Sequence, residues 1–550
     1  MHVGSHSSRP APHRSPSRRL LGILATSLAL ALLVAAGFAQ TPREGGTLII
    51  GFSGEPTQLD VLTTSLATTR ITDLICENLV GEDTTIPGTS APIVPRLAQG
   101  WEISDDGLVY TFTLRPGISF TDGTPFNAEA VKLNFDRILD PGAPVYAADV
   151  AGRPAAAGRV RLVESYRVVD DMTFEVVLRE PFAPFINNLK HRNFGIISPL
   201  ALENHSNEMD GEYLACTGPF VFSQRERGTS VVLVRNPDYW GGDGEGPYLD
   251  EVIFAIMPDV TARIAALQTG QIDVELELPA DRVAELERDP NIEVAMPGNP
   301  HVWFWMVNHR NPALQDLRVR QAVWHAMDVE GMVGSLYGET AVPLDTFLPP
   351  GNPAYRQEYQ RPYGYDPERA RDLLAEAGIA PGELTLTLGY PTSGASYMDG
   401  PAMAQWTQSN LRAVGIDTNL VPFEWSAWIA YLGPGLDDTI DLGVSAWQSI
   451  ADHPYMLEQL FATAMQKPAG SNNTWYSNPE FDELLQRARR AVDLEEQLRL
   501  YYEAEDVFLS DVGSIPVAHD RQPRAFGSHV RGLVFGPSSW FDLRPVWIDD

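Results

Sequence analysis

The sequence predicts an α/β protein built from more than one packed unit, and its length, composition and patterning all support this fold class. The chain has 550 residues, which is beyond the size at which one hydrophobic core stops growing. Hydrophobic residues make up 44% of it and include 12 Trp, so it can fill several cores. From about Pro297 onward, strand patterns alternate with helix patterns as they do in βαβ units. This alternation predicts an α/β second lobe.

The most regularly patterned segment, Val109–Leu139, predicts strand, turn, strand, turn and helix in succession. Apolar and polar residues alternate from Tyr110 to Leu114, which is the period of a half-buried strand. After a Pro-Gly turn, Ile118 and Phe120 resume the alternation. Asn127 then precedes an apolar stripe with helical spacing, so it is placed to cap a helix. The segment contains no obvious catalytic group, and its patterning indicates a folding unit.

Several other elements follow from local signals along the chain. The apolar run Thr47–Phe52 predicts a first strand, and a hairpin is predicted to bend at residues 227–228. Gly270 is predicted to end one helix, and Asp366 to begin another. The periodic stretch over residues 478–511 predicts a single long late helix.

The N-terminus has the order of features found in a secretory signal peptide. Arg14, Arg18 and Arg19 precede the apolar run Leu20–Gly37, and small residues then predict cleavage after about Ala39. The alternative is an uncleaved membrane anchor, because the run is nearly long enough to span a bilayer. No Cys lies near the end of the run, so a lipid-modified N-terminus is excluded. We expect an exported, freely soluble periplasmic protein.

Charge and cysteine content narrow the functional classes. A net charge of −32 argues against nucleic acid as a partner, because a polyanion would be repelled. The two cysteines, Cys76 and Cys216, form either a disulfide, as the export route allows, or a pair of buried thiols. Two cysteines are too few for a zinc cluster, and we expect neither a metal nor a cofactor.

A set of motifs in the mature chain resembles the signature of one protein family. The motifs are Trp101-x-x-x-Asp105, Tyr110-x-Phe112-x-Leu114-Arg115 and Phe120-x-Asp122-Gly123-x-Pro125, followed by "TGPFVF", "NPDYW", "RVRQAVWHAMD", "YDPERARDLLAEAG" and "NPEFDELL". They resemble the family-5 extracytoplasmic solute-binding proteins, which are the oligopeptide-, dipeptide- and nickel-type receptors of ABC importers. The resemblance covers nearly the whole mature chain in order.

This resemblance implies a two-lobed periplasmic-binding-protein clamp of the type II-like class (cluster C), whose first lobe is split into a base and an inserted subdomain. It also implies that a monomer presents its solute to a membrane permease driven by a cytoplasmic ATPase. The expected boundaries are 1–39 for the signal peptide, 45–75, 201–297 and 514–550 for the base, 76–200 for the inserted subdomain, and 298–513 for the second lobe. A sensor that signals to a membrane partner would use the same clamp.

Aromatic side chains of the second lobe are the first candidates for solute contacts, because flat rings give contact area at small entropic cost. The alternative for each is packing in the core. Trp447 lies in "GVSAWQSIADHP", which resembles the family's ligand-contacting loop. Trp303 and Trp305 are two residues apart and are predicted to share one strand face. The other candidates are Trp425, Trp428 and Glu55, of which Glu55 matches a solute-facing glutamate of oligopeptide receptors.

The loop departs from the family pattern at the position that matters most for a peptide. Peptide receptors of the family carry an aspartate three residues after this tryptophan, where it pairs with the α-ammonium, but here that position is Ile450. The nearest acidic residue is Asp452. We expect it to pair with the α-ammonium group if the loop has a different shape from that of the family's peptide receptors. A peptide remains the leading solute. The alternatives are an oligosaccharide, an opine or a nickel chelate.

An enzyme is the rival class of function, with a secreted hydrolase as its leading form. The sequence contains no G-x-S-x-G elbow, H-E-x-x-H motif, Walker loop or G-x-G-x-x-G fingerprint. The paired acids, such as Asp105-Asp106, stand beside strand starts and resemble solvated turns more than a glycosidase pair. We therefore expect a binding protein without catalytic residues.

Overall fold

The computed structural model describes residues 1–2, 41–56, 58–63, 66–83, 92–150, 152–242, 246–350, 352–392, 399–448, 454–536 and 541–549. Residues 1–43 and 44–550 form separate compact units, and all helices and strands below belong to the second. Within these described ranges, no helix combines the length and the apolar character needed to cross a membrane. The predicted signal peptide lies almost wholly outside the described residues.

The first half of the chain begins and ends in β-strands. Its elements are β1 (Thr47–Phe52), α1 (Leu66–Ile75), β2 (Val80–Glu82), β3 (Ile93–Pro95), β4 (Ala98–Ile103), β5 (Val109–Leu114), α2 (Ala128–Leu139), α3 (Arg153–Arg159), β6 (Val163–Asp170), β7 (Thr173–Leu178), α4 (Phe185–Leu189), α5 (Pro199–His205), β8 (Phe220–Glu226), β9 (Ser230–Arg235), β10 (Glu251–Ile256), α6 (Val260–Gln268), β11 (Val274–Glu275), α7 (Ala280–Leu286) and β12 (Ile292–Ala295).

The second half alternates helices with strands more regularly. Its elements are β13 (Gly298–Val307), α8 (Leu317–Ala326), α9 (Val329–Leu336), β14 (Ala341–Pro343), α10 (Pro367–Glu376), β15 (Thr385–Pro391), α11 (Gly400–Ala413), β16 (Asp417–Phe423), α12 (Trp425–Leu432), β17 (Leu442–Gln448), α13 (Met456–Phe461), α14 (Pro479–Arg490), α15 (Leu494–Ser510), β18 (Ser514–Arg521), β19 (Arg524–Gly527), β20 (Val530–Arg531) and β21 (Trp547–Ile548).

The larger sheets divide the molecule into two lobes. A seven-stranded sheet in the order β12-β19-β11-β1-β10-β9-β8 forms the base of the first lobe, and a four-stranded sheet, β4-β5-β7-β6, forms its inserted part. A six-stranded sheet, β14-β18-β13-β17-β15-β16, forms the second lobe. Buried apolar side chains follow the same division with one exception. The main cluster of the first lobe draws on residues 48–276 and 526–546 together with Tyr455, and that of the second lobe on residues 302–518.

The segment Val109–Leu139 folds largely as its pattern predicts. Strand β5 alternates its buried side chains, and the Asn127 side chain caps α2 by accepting a hydrogen bond from the backbone N–H of Ala130. The second strand predicted here is wrong, because Ile118 and Phe120 lie in a tight loop. The backbone N–H of Phe120 bonds to the carbonyl of Thr124 within that loop, so the alternation there reflects two buried side chains rather than a strand.

The late helix is interrupted, which corrects the expectation of one helix over residues 478–511. Helix α14 ends at Arg490, Ala491 is extended, and Asp493 caps the start of α15 by accepting a hydrogen bond from the backbone N–H of Glu496. The sequence Asp-x-x-Glu at this point has the spacing of a capping box, so the cap outcompetes helix continuation. The two helices then pack against each other.

The chain crosses between the lobes twice, and the second crossing comes later than expected. The first crossing lies between β12 and β13, near residue 297 as the sequence indicates. The return was expected at residue 514, but β18 still pairs with β13 and β14, and only β19 pairs with the base strands β11 and β12. Strand β18 is buried over nearly its whole length, as befits a central strand of the second sheet.

Of the two states left open for the cysteines, the structure has the disulfide. It joins Cys76, just after α1, to Cys216, which precedes β8, and both side chains are buried. The bond therefore ties the first helix of the lobe to the segment that returns from the inserted subdomain to the base sheet.

Candidate solute-binding site

A cavity of about 340 Å³ lies in the second lobe, beside strands β13 and β17. Its walls are mostly aromatic and aliphatic and include a few polar side chains. They are formed by Trp303, Phe304, Met306, Pro391, Trp425, Trp428, Ile429, Leu432, Gly433, Val444, Ser445, Ala446, Trp447, Leu460, Phe461, Lys467, Ser471, Asn473 and Thr474. An apolar hollow of this volume with a few polar groups is typical of small-molecule sites.

Helix α12 supplies one wall of the cavity through a helical stripe. Trp425, Trp428, Ile429 and Leu432 all line it, with the spacing i, i+3, i+4 and i+7 that places side chains on one helix face. Ile429 keeps 50% of its surface exposed, although it is a large apolar residue. Sequence reasoning singled out the two tryptophans and missed the other two residues, although the same periodicity could have found them.

Trp428 is held in place by two glycines on neighbouring strands. Gly389 on β15 pairs with Gly443 on β17, and the Trp428 ring lies against both. A Cβ atom at Gly389 would come within 3.0 Å of the ring, and one at Gly443 within 3.2 Å. Trp428 is 1% exposed as a result, so it forms a fixed wall rather than a freely accessible surface.

The strand pair β13–β17 positions the other tryptophans. Val302 pairs with Trp447 and Trp303 with Ala446, so Trp447 lies on the face opposite to Trp303. Trp303 is 2% exposed but still lines the cavity, whereas Trp305 is fully buried in the core and does not. The position of Trp305 favours packing over solute contact. Trp447, like Trp425 on α12, is only half-buried and keeps ring surface accessible.

The two acidic candidates do not meet at this cavity. Glu55, after β1, accepts a hydrogen bond from Arg225 on β8 at 3.2 Å and is not among the lining residues. The carboxylate of Glu55 thus binds an arginine that lies 170 residues further along the chain. The residues next to Glu55 in the sequence do not indicate this contact. Asp452 lies outside the described residues, between Trp447 and Tyr455.

Tyr455 connects the second lobe to the first immediately after that loop. It is 5% exposed and packs within the apolar cluster of the first lobe. Its hydroxyl accepts a hydrogen bond from Arg161 at 2.9 Å, and its ring meets Phe182 edge-on at a centroid distance of 5.4 Å. Burial raises the pKa of the Tyr455 phenol, which keeps it neutral. The far end of the loop is therefore anchored in the opposite lobe.

An ion-pair group makes a second contact between the lobes. Arg489 at the end of α14 lies 3.1 Å from Glu180 of the first lobe and 2.9 Å from Glu458 of its own lobe. The backbone N–H of Ala183 also donates to the carbonyl of Arg489 at 3.0 Å. Burial raises the pKa of Glu458, and the Arg489 charge opposes that effect. These contacts join the two lobes at residues that do not line the cavity.

Replacing Glu180 should weaken closure without unfolding either lobe. In Glu180→Gln the interlobe ion pair is lost, whereas Arg489 keeps Glu458 as its partner. The pair is partly solvated, so we expect solute affinity to fall by only about 0.5–1 kcal/mol, chiefly through faster release. Stopped-flow fluorescence measures that rate. Glu175→Gln, which removes an ion pair to Arg167 inside the inserted sheet, should leave the release rate unchanged; equal rates in all three proteins would contradict a role for the contact.

Among the residues that the structure describes, no group of three or more His, Cys, Asp or Glu side chains is arranged to hold a metal ion.

The polar cavity residues that sequence reasoning missed, such as Lys467 and Asn473, come from a loop without periodicity, so no pattern marks them.

Two separately packed lobes, two crossings of the chain between them and an aromatic cavity in the second lobe are the features of a solute-binding clamp. The model of the bacterial extracellular solute-binding proteins, family 5, matches residues 92–467, and the chain belongs to this family. It functions as a solute-binding receptor. Its relatives are binding proteins, among them a periplasmic one of solved structure.

Individual relatives show how far the likeness extends. The di/tripeptide-binding protein 2 of Pseudomonas aeruginosa is 32% identical over 479 residues, which cover 84% of this chain and 88% of that one. The glutathione-binding protein GsiB of Pectobacterium atrosepticum is 31% identical, with coverage of 82% and 84%. The solved periplasmic binding protein DppA of Helicobacter pylori, in complex with the peptide STSA, superposes with a TM-score of 0.75 at 27% identity, covering 92% of this chain and 99% of that one.

Proposed function

We propose that this receptor captures a short peptide between its two lobes and delivers it, chemically unchanged, to an ABC permease and its ATPase. We further propose that it does so as a monomer in the periplasm. Support comes from the family membership and from relatives that bind di- and tripeptides or glutathione. A hinged clamp suits this task, because two flexible crossings let one lobe close on the other.

The observation that carries the proposal is the mixed chemistry of the cavity. Trp425 and Trp447 offer half-buried rings for apolar side chains of the solute. Asn473 points a side-chain oxygen into a buried position where no described residue donates a hydrogen bond to it. A backbone N–H of a peptide is a donor of the kind that this oxygen lacks. Lys467 adds one positive charge, which suits a carboxylate of the solute.

Export by a cleaved signal peptide completes the proposal. The charged, apolar and small-residue regions before Ala39 support it. When the full chain is produced in a bacterium, the protein recovered from the periplasm should have the intact mass of residues 40–550. A product of full-length mass in the membrane fraction would instead indicate an anchor.

A thermal-shift screen of the mature protein tests the choice of solute. The panel contains di- to hexapeptides, glutathione, oligosaccharides, opines and nickel chelates. A solute present at a hundred times its dissociation constant stabilises the folded state by about 2.7 kcal/mol, so a true ligand raises the unfolding temperature clearly. We expect short peptides to give the shift. A shift with only a sugar, opine or chelate would overturn the peptide assignment while leaving the receptor class intact.

A further inference from the structure

The cavity of the second lobe lies between one face of the strand pair β13–β17 and helix α12. Gly443, Ser445 and Trp447 follow one another at intervals of two along β17, so they share one face of the sheet. Phe304 is the strand partner of Ser445 and therefore lies on that face as well. Trp428 of α12 packs against Gly443 from the same side. The small side chain of Ser445 thus leaves open a space that three aromatic rings surround.

The walls of this space carry little charge. Among the described residues that line the cavity, Lys467 is the only charged one, and the polar side chains belong to Ser445, Ser471, Asn473 and Thr474. One carboxylate of a solute can pair with Lys467. A second charged group would lose its hydration there without gaining a partner, which is costly. The cavity therefore favours the apolar part of a solute.

Apolar surface at the cavity is left uncovered by the chain itself. Ile429 on α12 is 50% exposed, and the rings of Trp425 and Trp447 are only half-buried. Removing such surface from water is favourable roughly in proportion to its area, so an apolar group that covers it gains affinity. All three side chains line the cavity. They give it a wall that an apolar group of the solute would complete.

The size of the cavity limits what it can enclose. Its volume of about 340 Å³ is near the lower end of the range of about 300–1,000 Å³ that is usual for small-molecule sites. Trp428, which the two glycines hold in place, fixes one wall before any solute arrives. The cavity thus has room for one large side chain and its adjoining backbone, rather than for a long peptide.

We propose that the receptor selects short peptides that carry one large apolar or aromatic side chain, and that this cavity encloses that side chain. The inference rests on the proposed peptide solute and names its class. It also distinguishes between the ligands of two relatives, the di/tripeptide-binding protein 2 and the glutathione-binding protein GsiB. Glutathione carries an ammonium and two carboxylates but no large apolar group, so it does not suit these walls.

The test is a competition among tripeptides that differ at one position. Mature protein is incubated with equal amounts of trialanine and of derivatives in which each position in turn is phenylalanine, leucine, serine or lysine, together with glutathione. Bound solutes are separated by gel filtration and quantified by liquid chromatography and mass spectrometry. At one position, phenylalanine and leucine should be retained about 10- to 100-fold over serine, the effect expected for burying such a side chain. Glutathione should not be enriched.

Ser445→Phe fills the cavity from the side of the sheet. It should lower retention of the phenylalanine and leucine peptides by at least about 10-fold and leave trialanine within about threefold of wild type. Ser165→Phe is the matched control, because it makes the same change at an exposed position on β6 of the inserted subdomain. It should keep the wild-type preference. An unchanged preference in S445F, or a lost preference in S165F, would overturn the inference.

A second variant keeps the test decisive if thermal melting shows that S445F does not fold. Ile429→Gln changes a side chain that is half exposed, so folding should be unaffected. Because the variant replaces part of the apolar wall with an amide, the preference for phenylalanine and leucine over serine should fall by at least about threefold. A full wild-type preference in I429Q would overturn the inference.

The outcomes also separate this inference from the proposed function. Wild-type protein that retains no peptide of any composition would contradict the peptide receptor itself. Wild-type protein that retains all compositions equally, or that prefers serine, lysine or glutathione, would leave the receptor intact and overturn the selectivity.

Discussion

Trp447→Ala is expected to lower peptide affinity by about 2–4 kcal/mol, because the variant removes a half-buried ring from the cavity wall. The residue stands at the end of β17, where its strand partner is Val302 and the adjoining loop begins. A flat ring fixed by a strand gives contact area at little entropic cost on binding. Isothermal titration calorimetry with the best peptide of the screen measures the loss directly.

Trp101→Ala is the matched control for this variant. Trp101 lies on β4 of the inserted subdomain, is half-buried, and packs against the first core without lining the cavity. The same chemical change there should leave peptide affinity within about 0.5 kcal/mol of wild type. Affinity that is retained in the Trp447 variant, or lost equally in both, would assign Trp447 to the structure of the lobe alone.

Asp60→Ala is expected to lower the free energy of unfolding of the first lobe by about 3–5 kcal/mol, because it leaves the buried guanidinium of Arg137 without its carboxylate partner. Arg137 donates to the two carboxylate oxygens of Asp60 at 3.0 and 2.7 Å, and both side chains are 1% exposed. Arg137 also donates to the backbone carbonyl of Ser206. Loss of Asp60 leaves the guanidinium without its counter-charge, at the point where helix α2 of the inserted subdomain meets the base.

Urea unfolding followed by circular dichroism measures that loss, with the first transition assigned to the less stable lobe. Arg282→Ala is the control, since it removes the partner of Glu285 in a partly exposed pair on helix α7 of the same lobe. A solvated i, i+3 pair of this kind contributes only about 0.3–0.5 kcal/mol. A D60A variant within about 1 kcal/mol of wild type would show that the buried pair adds little to stability.

Local signals in the sequence predicted much of the fold. Asp366 caps α10 by accepting hydrogen bonds from the backbone N–H groups of Glu368 and Arg369, and Gly228 turns the hairpin between β8 and β9 with a positive φ of 73°. Such features depend on a few neighbouring residues, so a single sequence shows them. The break in the late helix was also readable, since Asp493 and Glu496 have the spacing of a capping box, but helical periodicity on both sides concealed it.

The site was less predictable because its residues converge from distant parts of the chain. The cavity combines residues of β13, α12 and β17 with Lys467 and Asn473 of a later loop, and no periodicity relates these segments. The side chain of Glu55 is held away from the cavity by a hydrogen bond from Arg225, which lies on strand β8 of the base sheet. Tertiary pairing, rather than local propensity, decides these features.

Two side-chain contacts join the lobes outside the cavity. Tyr455 inserts into the first core, and Glu180 pairs with Arg489 of the second lobe. In the mechanism we propose, these contacts form as the lobes close, so they add to the affinity for a solute that bridges the cleft. They are modest in strength, and the equilibrium between open and closed forms therefore depends on the solute.

Small-angle X-ray scattering of the mature protein, recorded with and without the peptide that gives the largest thermal shift, tests the clamp most directly. Closure of two rigid lobes around the peptide predicts a smaller radius of gyration at saturation, with the molecular mass of a monomer unchanged. A radius that stays the same when calorimetry shows full occupancy would contradict capture by closure.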